Sequence, residues 1–419
     1  MKMNKLTVAI LIAMLLGIVT GQGYRLFAPT QAATFASDIT LLTDIFLRLI
    51  KMIIAPLVFT TLVVGIAKMG DTRTVGRIGA KTLGWFMLAS LMSLTLGLVM
   101  VHLMQPGVGL SLSLPDDGAS SGVAATAISL KDFVTHAIPK SVIEAMATNE
   151  ILQIVVFSLF FGLAAAALGD AAKPVVMLMA SAAEIMLKVT GYVMNFAPFA
   201  VFGAIAAMVA KEGLGILATY GTFMAQFYLA LACLWLLLIA MGSLFIRRRI
   251  LTLLAMIREP ILLAFSTASS EAAYPKTLDR LEKFGCDKRI ASFVLPMGYS
   301  FNLDGSMMYC TFAVMFIAQA FDIELSMAQQ ITMLLLLLVT SKGMAGVPRA
   351  SLVVIAATLN QFQIPEAGIL LLLGIDHFLD MGRSATNVLG NAIAASVVAK
   401  TEDSLGETAP LGETDLAKV

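Results

Sequence analysis

The chain has 419 residues, 59% of them hydrophobic and only 13% charged, with a mean hydropathy of +0.90. A soluble domain carries about 25% charged residues, so the composition points to a membrane protein. A formal net charge of +1 gives no electrostatic case for nucleic acid; the cysteines (Cys233, Cys286, Cys310) form no CxxC and the histidines (His102, His136, His377) no HExxH, so neither a disulfide framework nor a metal site is implied.

Lys2 and Lys5 precede an apolar run from Leu6 to about Phe27. A bilayer needs about 20 apolar residues, so this run reads as a first span; a signal peptide ending near Ala32–Ala33 is the alternative. Further apolar segments at about 42–68, 82–104, 150–169, 178–210, 214–246, 289–321 and 366–399 bring the expectation to eight spans. The stretch from about 105 to 148 is richer in Gly, Ser and Asp and reads as an extracytoplasmic loop. Beyond Lys400 the chain reads as a disordered cytoplasmic tail.

Two more segments are apolar but interrupted. One, about 250–284, holds Pro260, the run Ser266-Thr267-Ala268-Ser269-Ser270-Glu271, and Pro275. The other, about 327–364, holds Gly343, Gly346, Pro348 and Arg349. Basic residues fix how they are threaded, because they gather on the cytoplasmic side. Lys68, Arg73, Arg77 and Lys81 lie between the second and third spans, Arg247–Arg249 and Arg258 follow the sixth, and Lys283, Lys288 and Arg289 precede the seventh. All fall inside only if eight spans cross and each interrupted segment enters and leaves on one side. The expectation is therefore an all-α polytopic membrane protein with two re-entrant helical hairpins and both termini cytoplasmic. Irregular backbone at membrane depth is tolerated where it lines a cavity, and two such segments suggest an inverted repeat around a midplane site.

The seventh span contains Gly298-Tyr299-Ser300-Phe301-Asn302-Leu303-Asp304-Gly305-Ser306. Unwinding there frees carbonyls, to which Asn302 and Asp304 add hard oxygen ligands for a small cation; a polar helix contact with a Gly kink is the plainer reading. The eighth span carries Asp376, Asp380, Arg383, Asn387 and Asn391 at spacings that keep one helix face. Charged groups in hydrocarbon are costly and face a protein interior or a cavity. Arg383 presents a planar fork for a carboxylate, and Asp380 suits a primary ammonium; the plainer reading is an internal Asp380–Arg383 pair at i, i+3. Ser269 and Ser270 could offer hydroxyls at a hairpin tip, but a serine cluster more often marks a turn. Glu271 has no role in this reading, and Lys51 in the second span can snorkel. No nucleophile–base pair or zinc motif suggests an enzyme, and a paired Asp and Arg suit a binding site better than a channel.

Taken together, the serine-rich first hairpin, Asn302-Leu303-Asp304-Gly305, the Gly343 to Pro348 tip and Asp376 through Asn391 resemble the dicarboxylate/amino acid:cation symporter (glutamate transporter) family over essentially the whole chain. The resemblance implies a homotrimer and an elevator mechanism with no cofactor. Residues 1–70 and 148–213 would form the scaffold and trimer contact, 71–115 and 214–400 the transport domain, and 401–419 a cytoplasmic tail. It implies that Arg383 binds a side-chain carboxylate and Asp380 an α-amino group. Ser269, Ser270, Ser306, Val347, Ser384 and Asn387 would hold the rest of an acidic amino acid or dicarboxylate. Cation positions would be Gly298, Ser300, Asn302, Asp304, Ser341, Lys342, Met344, Asn387 and Asn391. Departures bear on the coupling ion. Asn391 stands where the archaeal sodium-coupled pattern has Asp, and Phe86 and Ala89 replace its Tyr and Thr, with Ser90 kept. These changes weaken two sodium sites and favour protons or fewer sodium ions, although the glutamate-type proton-carrier position is Cys310. The first hairpin resembles the C4-dicarboxylate branch, whereas Asp380 favours an amino acid. A bacterial inner membrane is the expected location.

Overall fold

In the computed structural model, residues 5–67, 72–108, 138–213, 220–341, 350–373 and 375–408 are described. They are helical, and the one strand-like pairing among them is an antiparallel bridge between Cys286 and Leu405. In lipid every backbone polar group must be satisfied within the chain, which leaves helices as the economical solution for Leu-, Met- and Ala-rich runs. Buried hydroxyls follow the same rule: Thr61 and Thr82 donate to the carbonyls one turn back, Leu57 and Ile78, at 2.7 and 2.8 Å.

The helices are α1 (Lys5–Phe27), α2 (Ala32–Ala67), α3 (Thr72–Met104), α4 (Val142–Ala147), α5 (Ile151–Leu168), α6 (Lys173–Met194), α7 (Ala197–Glu212) and α8 (Gly221–Ile246). They continue as α9 (Arg249–Thr267), α10 (Tyr274–Phe284), α11 (Lys288–Phe301), α12 (Asp304–Ala320), α13 (Met327–Thr340), α14 (Ala350–Gln361), α15 (Leu370–Leu373) and α16 (Asp376–Thr401). Seven helical stretches among the described residues are long and apolar enough to cross a membrane. One of these is α9, an arm of the first interrupted segment; α16, with its polar stripe, is not among them.

Several sequence expectations need correction. The segment 178–210 is two helices, because the chain turns at Asn195–Phe196 and restarts with Pro198 in the first turn of α7, where a missing amide costs nothing. The third span begins at Thr72, so Arg73, Arg77 and Lys81 are helical rather than in a loop. The tail is not disordered from Lys400: residues through Thr408 pack back on the protein. The tip residues Lys342 to Arg349, including Met344 and Val347, and loop residues 109–137, lie outside the described residues.

Glycine allows α1 to approach α7 closely: a Cβ on Gly21 would lie 2.5 Å from the Ala206 carbonyl oxygen. Such small-residue contacts let membrane helices pack by van der Waals attraction. The first interrupted segment is a helical hairpin, α9 and α10, turned at Ala268–Ser270. Its arms are tied by a buried carboxylate, with Arg280 Nη2 2.6 Å and Lys276 Nζ 3.2 Å from Glu259. Every residue of α16 from Met381 to Ala399 is buried, packed among α3, α8, α9, α11 and α12. A helix buried on all sides can carry polar groups that lipid would not accept.

Candidate functional site

The seventh span breaks where its sequence is least helical. α11 ends at Phe301, and α12 restarts at Asp304, leaving Asn302 and Leu303 non-helical. A helix start leaves amides without intrahelical acceptors, and here α16 supplies one: the Gly305 amide donates to Asn387 Oδ1 at 2.9 Å. Asn387 Nδ2 in turn donates to Ser306 Oγ at 3.2 Å. That amide therefore uses both ends to join α12 to α16.

One turn along α16, Asn391 Oδ1 accepts from Asn302 Nδ2 at 3.1 Å, and the same amide donates to Asp304 Oδ2 at 3.0 Å. Asn302, Asp304 and Asn391 are fully buried. The Asp304 carboxylate orients the Asn302 amide, since only its nitrogen can face that oxygen. Asn302 Oδ1 and Ser300 Oγ are left buried without a hydrogen-bond partner, although buried polar atoms are nearly always paired. Buried oxygens close in sequence to a buried carboxylate are the donor chemistry of a small hard cation. The glycines make room: a Cβ on Gly298 would collide with Asn391 Oδ1, and one on Gly390 with Asp304 Oδ2.

Towards the start of α16, Arg383 Nη2 lies 3.0 Å from Asp380 Oδ1 and 3.2 Å from Asp376 Oδ1. Helical side chains lean towards the N-terminus, which is how the guanidinium reaches back to Asp376. Tyr309 on α12 completes the setting: its hydroxyl donates to Asp376 Oδ1 at 3.1 Å, and its ring centroid is 4.1 Å from the Arg383 Cζ. Arg383 and Asp376 side chains are 1% exposed, whereas that of Asp380 is 28% exposed. Two of the Arg383 nitrogens, Nε and Nη1, have no partner. The internal pair anticipated as the plainer reading is thus formed, yet part of the fork stays free.

The structure brings together Gly298, Asn302, Asp304, Ser306, Asn387 and Asn391 directly, with Asp380, Arg383 and the buried Ser384 on the same helix. Ser269 and Ser341 use their hydroxyls locally instead. Ser269 Oγ accepts from the Ala272 amide at 3.3 Å, and Ser341 Oγ donates to the Leu338 carbonyl at 3.3 Å. Ser270 ends the turn at the hairpin tip, at the N-cap position of the short 3-10 helix Glu271–Ala273. Sequence reasoning missed Tyr309, and it missed Ser93, whose hydroxyl lies 3.4 Å from Asp304 Oδ1 while bonding the Ala89 carbonyl at 2.8 Å.

Residues 6–401 match the sodium:dicarboxylate symporter family. The chain belongs to that family. It is 40% identical over 404 residues to the proton/sodium-glutamate symport protein of Bacillus caldotenax, covering 95% of this chain and 94% of that one. It is 39% identical over 396 residues to the proton/glutamate-aspartate symporter of Bacillus subtilis strain 168, with 94% of each covered. It is also 40% identical over 403 residues to a C4-dicarboxylate transport protein of Laribacter hongkongensis, covering 94% and 89%. As a member of a symporter family with several apolar helices, the protein is a multi-pass membrane transporter.

Proposed function

We propose that this protein is a secondary active symporter that imports an acidic amino acid, aspartate or glutamate, coupled to H+, Na+ or both. The observation that carries the reading is the half-satisfied Arg383 guanidinium beside the partly exposed Asp380. A substrate carboxylate would take the free Nε and Nη1, and its ammonium would take Asp380. Ser306, Ser384 and Asn387, with the tip groups Ser269, Ser270 and Val347, would hold the remaining polar atoms. Net charge argues for a coupling cation. Asp304, Asp376 and Asp380 bring three carboxylates to this region against one guanidinium, which pairs with Asp376 and Asp380, and an acidic substrate adds further negative charge. Moving that excess through hydrocarbon is costly unless cations accompany it. Gly298, Ser300, Asn302, Asp304, Asn387 and Asn391, with carbonyls at Ser341 and Met344, are the positions for them.

The similarity to C4-dicarboxylate transport proteins supports a second reading, succinate, fumarate or malate. Asp380 weighs against it, since a dicarboxylate offers no ammonium to pair there. We further propose eight spans with two re-entrant hairpins, a homotrimer in a bacterial inner membrane with both termini cytoplasmic, and an elevator motion of residues 71–115 and 214–400 against a scaffold of 1–70 and 148–213. The test is radiolabelled aspartate uptake into proteoliposomes with sodium and pH gradients imposed separately. Uptake driven by either gradient supports the reading, and a pH gradient acting in sodium-free buffer identifies the proton. Aspartate uptake that neither gradient drives above the equilibrium level, and that persists without sodium and at every pH, refutes cation coupling.

A further inference from the structure

Residues beyond the last helix form a strap across the ends of four other helices, α3, α9, α10 and α11. Glu402 accepts from Arg77 Nη2 at 2.8 Å and pairs with Lys81 Nζ at 2.6 Å, both on α3. The chain then runs antiparallel to the turn between α10 and α11. The Asp287 amide donates to the Ser404 carbonyl at 3.1 Å, and the Gly406 amide to the Gly285 carbonyl at 2.9 Å. Arg249, at the start of α9, closes the joint by donating to the carbonyls of Phe284 at 2.9 Å and Gly406 at 2.8 Å. Gly285 fits this joint for two reasons. Its φ is +105°, and a Cβ there would lie 2.5 Å from the Gly406 carbonyl oxygen.

The strap connects two of the helices that build the proposed cation site. The turn at Gly285–Asp287 leads directly into α11, which carries Gly298, Ser300 and Asn302 at its far end. The strap itself continues α16, which carries Asn391. At the site these helices meet with no room for one methyl group between Gly298 and Asn391. A small slide of α11 along α16 would break the Asn302–Asn391 hydrogen bond. From Lys288 to Gly298 is about 15 Å of helix; Pro296 lies within it, but every residue from Ile290 to Ser300 is buried, so its packing carries the position of its base to the site.

We propose that residues 402–408 are a positioning element for the cation site: the strap fixes the register of α11 against α16 and thereby sets cation affinity. This rests on the cation-coupled reading given above. The strap touches neither the cation nor the substrate, so its loss weakens cation binding without removing the transport machinery.

The test uses the full-length protein in proteoliposomes, compared with Glu402→Gln, Gly285→Ala, a stop after Thr401 and a stop after Thr408. The stop after Thr401 and Gly285→Ala should raise the cation concentration for half-maximal aspartate uptake about tenfold, the low end for outer partners of a bound cation. Maximal uptake at saturating cation should stay within about twofold for these two variants, since the chemistry of the site is intact. Glu402→Gln, the mildest change, should give a smaller rise, and the stop after Thr408 none. A second readout does not depend on transport. Cys286 is buried at the bridge to Leu405; with Cys233 and Cys310 replaced by serine, it should resist maleimide in the full chain and react readily after the stop at Thr401. If Cys286 opens but the half-saturating cation concentration does not move, the strap has no positioning role. If Cys286 stays closed, the strap does not cover it, and the proposal fails. Cation-independent uptake by the unaltered protein overturns the functional reading as well, and is seen before any variant is compared.

Discussion

Arg383 and Asp380 form a pair of unequal burial: their nitrogen and oxygen are 3.0 Å apart, yet one side chain is 1% exposed and the other 28%. A pair enclosed on both sides would serve packing alone. Here the carboxylate is partly exposed, and the buried guanidinium keeps unpartnered nitrogens. Asp376 and the Tyr309 ring hold the guanidinium from behind, so Asp380 is the partner that can be exchanged. An incoming zwitterion could replace one ion pair with two.

Replacing Arg383 with alanine should abolish uptake of acidic substrates. Hydrogen bonds to charged groups contribute about 1.5–3 kcal/mol each, so losing a forked carboxylate contact should weaken binding by about 100-fold or more. Arg383→Lys should recover only part of this, because an ammonium cannot present the planar fork. Aspartate uptake unchanged by Arg383→Ala would remove the guanidinium from the site.

Asp380→Ser should separate the two candidate substrate classes. Loss of a charged contact to the ammonium should weaken aspartate binding about tenfold or more. Succinate has no ammonium and should be weakened much less. Competition of each compound against labelled substrate measures the difference; equal effects on both would refute the ammonium assignment.

Gly390→Ala places a methyl group against the Asp304 carboxylate, and Gly298→Ala places one against the Asn391 amide. Both should raise the cation concentration needed for uptake by about tenfold or more, in line with disturbed ligand geometry. Thermal stability measured without cation tells a local effect from a folding defect. Unaltered cation dependence in a stably folded Gly390→Ala protein would argue that Asp304 is not a ligand.

Glu402 should make the strap acid-sensitive. Its hydrogen bond from Arg77, with help from Lys81, outweighs burial and holds its pKa below the ordinary 4.5. A carboxylate whose folded-state value is lowered stabilises the protein fully above the unfolded value, and that contribution disappears as pH falls through the lowered one. The pair is partly exposed, so the gain at neutral pH is about 1 kcal/mol or less. Unfolding of the unaltered protein and of Glu402→Gln should differ at pH 7 and converge in acid. A gap that persists in acid would place the role of Glu402 elsewhere.

The parts of this arrangement that were legible in the sequence are those carried by one helix or one break. Asp376 to Asn391 stand out because they repeat at helical spacing within an apolar run, where each costs free energy unless it has a task. Asn302 and Asp304 stand out because they interrupt a span. Ser93 and Tyr309 do not: a serine and a tyrosine are unremarkable in an apolar helix, and they acquire roles only through contacts with helices far along the chain. The strap was misread because Glu402 to Thr408 is polar and short, like any mobile end. What orders it is backbone pairing with a turn more than a hundred residues earlier, which local composition does not encode. The division of 178–210 was missed because Asn195 is a weak signal within an apolar run.

The most direct measurement is equilibrium binding of aspartate to the purified protein, titrated with sodium at fixed pH and with protons in sodium-free buffer. The account predicts that aspartate affinity rises steeply with at least one of these cations, and that Asn302→Ala flattens the rise. Aspartate affinity that is the same at every sodium concentration and every pH would contradict it.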